Sequence, residues 1–249
     1  GGGSYIPPSP ETKVTFSGRA YPNSTVTLLK DAQIAATTIA DANANFQISL
    51  SGLSSGNFIF SIYSEDKEGN RSSLFTFPVS VTLGTNIQIG GIFIAPTIDV
   101  DKIEVKRGDN LAIFGQSCPD AEITIVVSSG EDIFRKIQAD KNGIYLYNFD
   151  TAILEMGQHF AKSKSAYITE TSSYSKTVGF LVSTKTVFKK PSKCLLKGDL
   201  NNDCRVNLID FSIAAYWYKR PNPPPTVDLN GDGKVDLVDF SIMAYFWTG

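Results

Sequence analysis

A single histidine, His159, stands in the 249 residues, so no mechanism that needs two imidazoles can be built. Three cysteines are too few for a disulfide scaffold. Neither charge sign is in surplus: 23 Lys+Arg face 25 Asp+Glu, without the basic excess of a nucleic-acid binder. No apolar run approaches the ~18–20 residues needed to span a bilayer. A glycine-rich phosphate loop, a nucleophile elbow and an HExxH pair are all missing. Acid pairs could in principle hydrolyse glycosides, but none sits on a feature shared with such enzymes. The expectation is a non-catalytic chain with no nucleic-acid partner and no transmembrane segment.

What is present suits a globular chain. The hydrophobic share is 42%, which excludes wholesale disorder, and the length suggests two domains, or three if one is small. The chain starts at Gly1 without a leader, which predicts a piece processed or cut from something longer. Residues 1–10, GGGSYIPPSP, read as flexible and then stiff linker. From residue 11 onward, short runs alternate apolar and polar, as in Asn45-Phe46-Gln47-Ile48-Ser49-Leu50. Turn clusters such as Tyr21-Pro22-Asn23 and Lys67-Glu68-Gly69-Asn70 separate them. Strand-length pieces at this spacing predict an antiparallel sandwich.

The pattern recurs. Phe16–Leu28 aligns with Ile113–Ile125, and Ala40–Phe46 with Ala139–Tyr145, at offsets of 97 and 99. A near-constant offset marks duplication of a whole domain. The matching positions hold turn-forming Gly and Pro and strand-filling apolar residues, so the repeat preserves a scaffold. The stretch Gly18-x-Ala20-x-Pro22-x-Ser24-x-Val26, with Gly56, Phe58 and Phe60 and then Asp66-x-x-Gly69-Asn70-x-Ser72, resembles bacterial immunoglobulin-like domains of surface and secreted proteins. The resemblance implies two tandem sandwiches, at 11–93 and 94–187, that act as spacers or adhesive stalks. Residues 188–197, rich in Lys with one Pro, read as a solvated connection.

A sharper repeat fills residues 198–249. Asp199-Leu-Asn201-Asn-Asp203-Cys204-Arg205-Val-Asn207-Leu208-Ile209-Asp210 returns 29 residues later as Asp228-Leu-Asn230-Gly-Asp232-Gly233-Lys234-Val-Asp236-Leu237-Val238-Asp239. Each is followed by Phe-Ser-Ile, and twelve residues are identical between 199–218 and 228–247. Calcium takes six to eight oxygens, which a twelve-residue loop supplies from positions 1, 3, 5, 7, 9 and 12. The first loop offers Asp199, Asn201, Asp203, the Arg205 carbonyl, Asn207 and Asp210. The second offers Asp228, Asn230, Asp232, the Lys234 carbonyl, Asp236 and Asp239. No Cys or His stands among these donors, which excludes zinc. Two calcium ions are expected, because so many carboxylates around one point repel without a cation.

Position 6 is Gly233 in the second loop and Cys204 in the first. A left-handed conformation at Cys204 costs roughly 1–2 kcal/mol, and a disulfide to Cys194 would contribute about 2–3 kcal/mol. Two free thiols are the alternative. Each unit lacks a helix before its loop, because Pro191 and Pro221–Pro225 intervene. This duplicated half-EF-hand resembles the type I dockerin, a family that docks onto cohesin domains and folds with calcium.

The helices after the loops are apolar nearly all round and need a second apolar neighbour. Leu208, Ile209, Tyr216, Trp217, Leu237, Val238, Tyr245 and Phe246 are candidates for a docking surface, with packing inside the chain as the alternative. Cellulosomal dockerins typically place Ser or Thr where Leu208-Ile209 and Leu237-Val238 stand here. That departure implies a greasier interface, on a different kind of surface protein.

The chain is therefore expected to be mainly β, two tandem immunoglobulin-like sandwiches with a small all-α calcium-binding module. The expected role is extracellular or cell-surface assembly through a cohesin-like partner. A self-assembling subunit that docks on its neighbour is the second reading. A carbohydrate-binding accessory region is the third, and it would need Tyr63, Phe75 and Phe77 in one aromatic strip, whereas these residues are expected in the core. His159 is expected on a strand surface, and Asp99 and Asp101 as solvated charge between the sandwiches.

Overall fold

The computed structural model describes residues 11–189, 196–201 and 204–248. Two compact units result, residues 1–188 and 189–249. The first unit contains two β-sandwiches. The linker expected at 1–10, most of that expected at 188–197, and Cys194 and Asp203 lie outside the described residues.

Seven strands build the first sandwich: β1 Lys13–Arg19, β2 Thr25–Lys30, β3 Gln33–Ile39, β4 Asn45–Ser51, β5 Gly56–Glu65, β6 Phe75–Val81 and β7 Asn86–Phe93. One sheet has the order β4-β1-β7 and the other β3-β2-β5-β6. All pairings are antiparallel except β1 with β7. Period-two alternation sends Val14 and Phe16, Val26 and Leu28, Phe46 and Ile48, and Phe60 and Ile62 into the space between the sheets. Each such burial is worth about 1.5–3 kcal/mol.

The second sandwich repeats the plan with β8 Asp99–Val100, β9 Lys102–Lys106, β10 Asn110–Gln116, β11 Glu122–Ser129, β12 Glu131–Gln138, β13 Ile144–Asp150, β14 Gly157–Tyr167, β15 Glu170–Thr171, β16 Val178–Ser183 and β17 Val187–Phe188. Its sheets run β13-β10-β8 and β12-β11-β14-β16-β9-β17. The duplication is visible in strained positions: Asn23 and Asp120 both have φ 57°, and Ala44 and Gly143 have φ 67° and 74°. A Cβ at Gly18 would meet the Ile92 carbonyl oxygen at 1.8 Å, and one at Gly115 would meet that of Thr97 at 2.1 Å. The repeated glycine therefore exists for close backbone approach.

The two sandwiches share a packed junction. Ala44 and Phe93 belong to the first by sequence but pack in the core of the second. The Tyr21 hydroxyl donates to the Ala95 carbonyl, and Arg19 pairs with Glu170 at 2.9 Å.

One expectation is corrected. His159 is not on the surface but 5% exposed, with its ring 5.7 Å from that of Phe180. Its Nε2 lies 2.9 Å from the Glu155 carbonyl, and its buried Nδ1 has no partner. It falls on the inward-facing parity of β14, with buried Ala161, Ser163 and Ser165. The aromatic strip that the carbohydrate reading needs does not form: Phe75 and Phe77 pair with Ile62 and Phe60 on the core-facing side of the sheet, while Tyr63 points the opposite way beneath Arg71. Asp101 accepts from the Ala112 amide at 2.9 Å and pairs with Lys102, so it orders backbone between strands.

Candidate metal centre and docking faces

Two short helices follow the acidic loops, α1 Leu208–Trp217 and α2 Leu237–Tyr245. Each starts in a capping box. Asn207 accepts from the Ile209 amide at 2.7 Å and Asp236 from that of Val238 at 2.8 Å. The carboxylate three residues on reaches back to the cap amide, at 2.9 Å for Asp210 and 2.8 Å for Asp239.

The closing acids have a second task. Asp210 also accepts from the amides of Leu200 (2.8 Å) and Asn201 (3.2 Å), and Asp239 from those of Leu229 (2.8 Å) and Asn230 (3.3 Å). Both are wholly buried. Each therefore ties the first turn of its loop to the first turn of its helix, with both oxygens engaged.

The second loop is described throughout and wraps its own carboxylates. Asp228 accepts from the amides of Gly231 (2.8 Å), Asp232 (3.2 Å) and Gly233 (2.7 Å), and Asp232 from that of Lys234 (2.9 Å). Gly233 has φ 84° and Cys204, at the same loop position, φ 64°. In the first loop the Cys204 amide donates to Asp199 at 2.8 Å. Cys204 is disulfide-bonded, and Cys118 is a free buried thiol. Among the described residues no three His, Cys, Asp or Glu side chains group closely enough to hold an ion. The donor chemistry nonetheless fits calcium: every side-chain donor named for the two loops is a carboxylate or amide oxygen on a loop turned by positive φ.

The module obeys an approximate twofold relation. Phe211 and Phe240, 29 residues apart, meet at 5.7 Å between ring centroids. Phe211 also contacts Trp247 (5.5 Å), and Phe240 contacts the equivalent Tyr218 (5.9 Å). The Thr248 amide donates to the Val206 carbonyl and the Lys219 amide to that of Val235, both at 3.0 Å. Each helix's exit is thus pinned to the other unit's loop, around a small core of Val206, Ala214, Val227, Val235 and Met243.

The expected docking residues divide in two. Leu208, Ile209 and Tyr216 on α1, and Leu237, Val238 and Tyr245 on α2, are all more than half exposed. Trp217 and Phe246 are partly buried against the module's own core, so the alternative of internal packing holds for these two. Their neighbours Tyr216 and Tyr245 stand edge-on to them, at 5.3 and 5.0 Å, and take the outer position. No helix leads directly into either loop among the described residues, and no helix there is long and apolar enough to cross a membrane.

Comparison with known proteins locates the module. Residues 197–246 match the family model of the dockerin type I domain and are such a domain. Among curated proteins none matches this chain. Solved structures similar to it include a tetra-tandem repeat from the extending region of a large adhesion protein, at 14% identity over 70% of this chain and 50% of that one, TM-score 0.31. A Ca2+-stabilized adhesin that helps an Antarctic bacterium bind ice follows, at 19% identity, 64% and 40% coverage and TM-score 0.27. The fibronectin(III)-like modules of Clostridium thermocellum CbhA give 16% identity, 72% and 93% coverage and TM-score 0.26. The chain spans half the length of the first of these. The sandwich architecture rests on the strand order, not on these likenesses.

Proposed function

We propose that the chain is a non-catalytic, extracellular or cell-surface assembly protein whose C-terminal module holds two calcium ions and docks onto a cohesin-like domain. The dockerin type I match at 197–246 carries this reading, together with the twofold arrangement of exposed Leu208, Ile209 and Tyr216 against Leu237, Val238 and Tyr245. Dockerin type I domains bind calcium and cohesins. Asp199, Asn201, Asp203, Arg205, Asn207 and Asp210 would hold one ion, with Arg205 giving its carbonyl. Asp228, Asn230, Asp232, Lys234, Asp236 and Asp239 would hold the other, with Lys234 giving its carbonyl. Calcium contributes charge neutralisation to the acidic loops and so shapes both helix faces. A bridge between Cys194 and Cys204 would clamp the first loop. The sandwiches act as a spacer that carries the module.

The test is binding of the full chain to a panel of immobilised cohesin domains, with calcium and with chelator. Calcium-dependent capture is expected. Binding to none of them, or binding that survives chelation, contradicts the reading. Self-association of the chain without any cohesin would instead favour a subunit that docks on its neighbour.

A further inference from the structure

The two sandwiches share a scaffold and differ on one outer face. The alignment at offset 97 puts Thr124 and Val126 of β11 where β2 has Thr27 and Leu29. Directly across from Thr27 stand Thr37 and Tyr63, and across from Leu29 stand Ile34 and Ser61. Across from Thr124 stand Lys136 and Lys164, and across from Val126 stand Phe134 and Lys162. Residues directly opposite share a face, and Ile123, Ile125 and Val127 of β11 take the core side. The second copy thus carries Lys136, Lys162 and Lys164 on an outer face where the first has Thr37, Ser61 and Tyr63.

The side chains on this face are packed against one another. Val126 belongs to it and is nevertheless only 1% exposed, so its neighbours cover it. The Phe160 ring lies over β16, where a Cβ at Gly179 would meet two of its atoms at 3.4 and 3.5 Å. Phe134 is 55% exposed and Phe160 47%. The Lys162 and Lys164 ammonium groups stand 4.7 and 5.4 Å from the centroid of the Tyr174 ring. Two cations therefore converge on one ring, and neither forms an ion pair among the described residues. The acids on the outer face of β11 and β12 are engaged elsewhere: Glu122 pairs with Lys136 at 2.7 Å, and Asp132 accepts from the Ser128 hydroxyl at 2.6 Å.

Like charges held this close repel, and an anion between them relieves the repulsion. Exposed rings on a flat sheet suit a ligand with flat apolar faces. A polymer of uronic acid sugars has both features, C–H faces on its rings and carboxylates at their edges. A nucleic acid, charged at every nucleotide, calls for a longer run of cations than this face holds, and the chain has no basic excess. We infer that the outer face of β12, β11 and β14 binds an acidic polysaccharide, with Lys162 and Lys164 sharing a carboxylate and Phe134 and Phe160 lying against sugar rings. The docking reading is not needed for this, and the binding is expected whether or not a cohesin is taken.

The test is calorimetric titration of the full chain, loaded with calcium and freed of excess ion. The ligands are octasaccharides of galacturonate, mannuronate and hyaluronan, with maltooctaose as the neutral counterpart. At least one acidic octasaccharide is expected to bind tenfold or more tightly than maltooctaose. Replacing both lysines, Lys162→Gln with Lys164→Gln, is expected to weaken that binding about tenfold, and Phe160→Ala about fivefold. Lys185→Gln removes an exposed lysine of the same sandwich outside this face and is expected to change it less than about twofold. An unchanged thermal midpoint checks that each variant folds. Equal affinity for maltooctaose, indifference to the lysine pair or to Phe160→Ala, or an equal loss through Lys185→Gln overturns the inference. Single-stranded DNA of matched charge binding more tightly than every octasaccharide overturns it too and assigns the face to nucleic acid.

Discussion

At the residue scale, the most constrained positions are those where backbone meets backbone. Gly18 and Gly115 sit where a Cβ would enter a carbonyl oxygen. Gly18→Ala is expected to push β1 off β7 and cost about 3 kcal/mol or more, read as a fall in the thermal midpoint. Gly52→Ala, with open space around its Cβ but φ 72°, is the milder control at about 1 kcal/mol. Cys118 is a second constrained residue. Burial raises its thiol from 9.0 to about 11. The folded thiol keeps its proton at neutral pH, so it is expected to resist alkylation until the chain unfolds. Between about pH 9 and 11 the unfolded thiol ionises first, so this group's contribution lowers stability as pH rises through that window. Alkylation followed by mass spectrometry, native against denatured, checks the first statement. Brisk native labelling would refute it.

At the element scale, the acidic loops and their helices stand on Asp210 and Asp239. Asp239→Ala removes three acceptor contacts to backbone amides, one of them the reach-back half of a capping box. The expected cost is about 2–4 kcal/mol, seen as loss of α2 signal in far-ultraviolet circular dichroism while the sheets persist. The periodicity of these elements was plain in the sequence. Asp or Asn at loop positions 1, 3, 5, 9 and 12 and the matching Phe-Ser-Ile made the loops and both helices readable, because local spacing dictates both. Which apolar residues turn outward was not. The α1 residues are apolar nearly all round, so Trp217 looks as available as Tyr216. Only the second unit's return across the twofold relation puts Trp217 and Phe246 inward. His159 was misread for a related reason. One polar residue does not reveal strand parity, and β14 is read inward only from the small residues Ala161, Ser163 and Ser165 beside it.

At the scale of the whole molecule, the sequence duplication foretold two sandwiches but not how firmly they join. That firmness comes from Phe93, whose side chain completes a core formed, Ala44 apart, by residues beyond it in the chain. Phe93→Ala is expected to cost about 3–5 kcal/mol and to split the melting of residues 11–188 into two transitions. A single unshifted transition in calorimetry would show that the junction is loose. The central claim, however, is that calcium builds the C-terminal module. The most direct test is a calcium titration of the chelator-stripped full chain, followed residue by residue through its amide resonances. The account predicts changes confined to residues 198–248 that saturate at two ions per chain, with the amides of Cys204 and Gly233 among the most shifted. Resonances that ignore calcium, or that respond in the sandwiches and not in the loops, would contradict it.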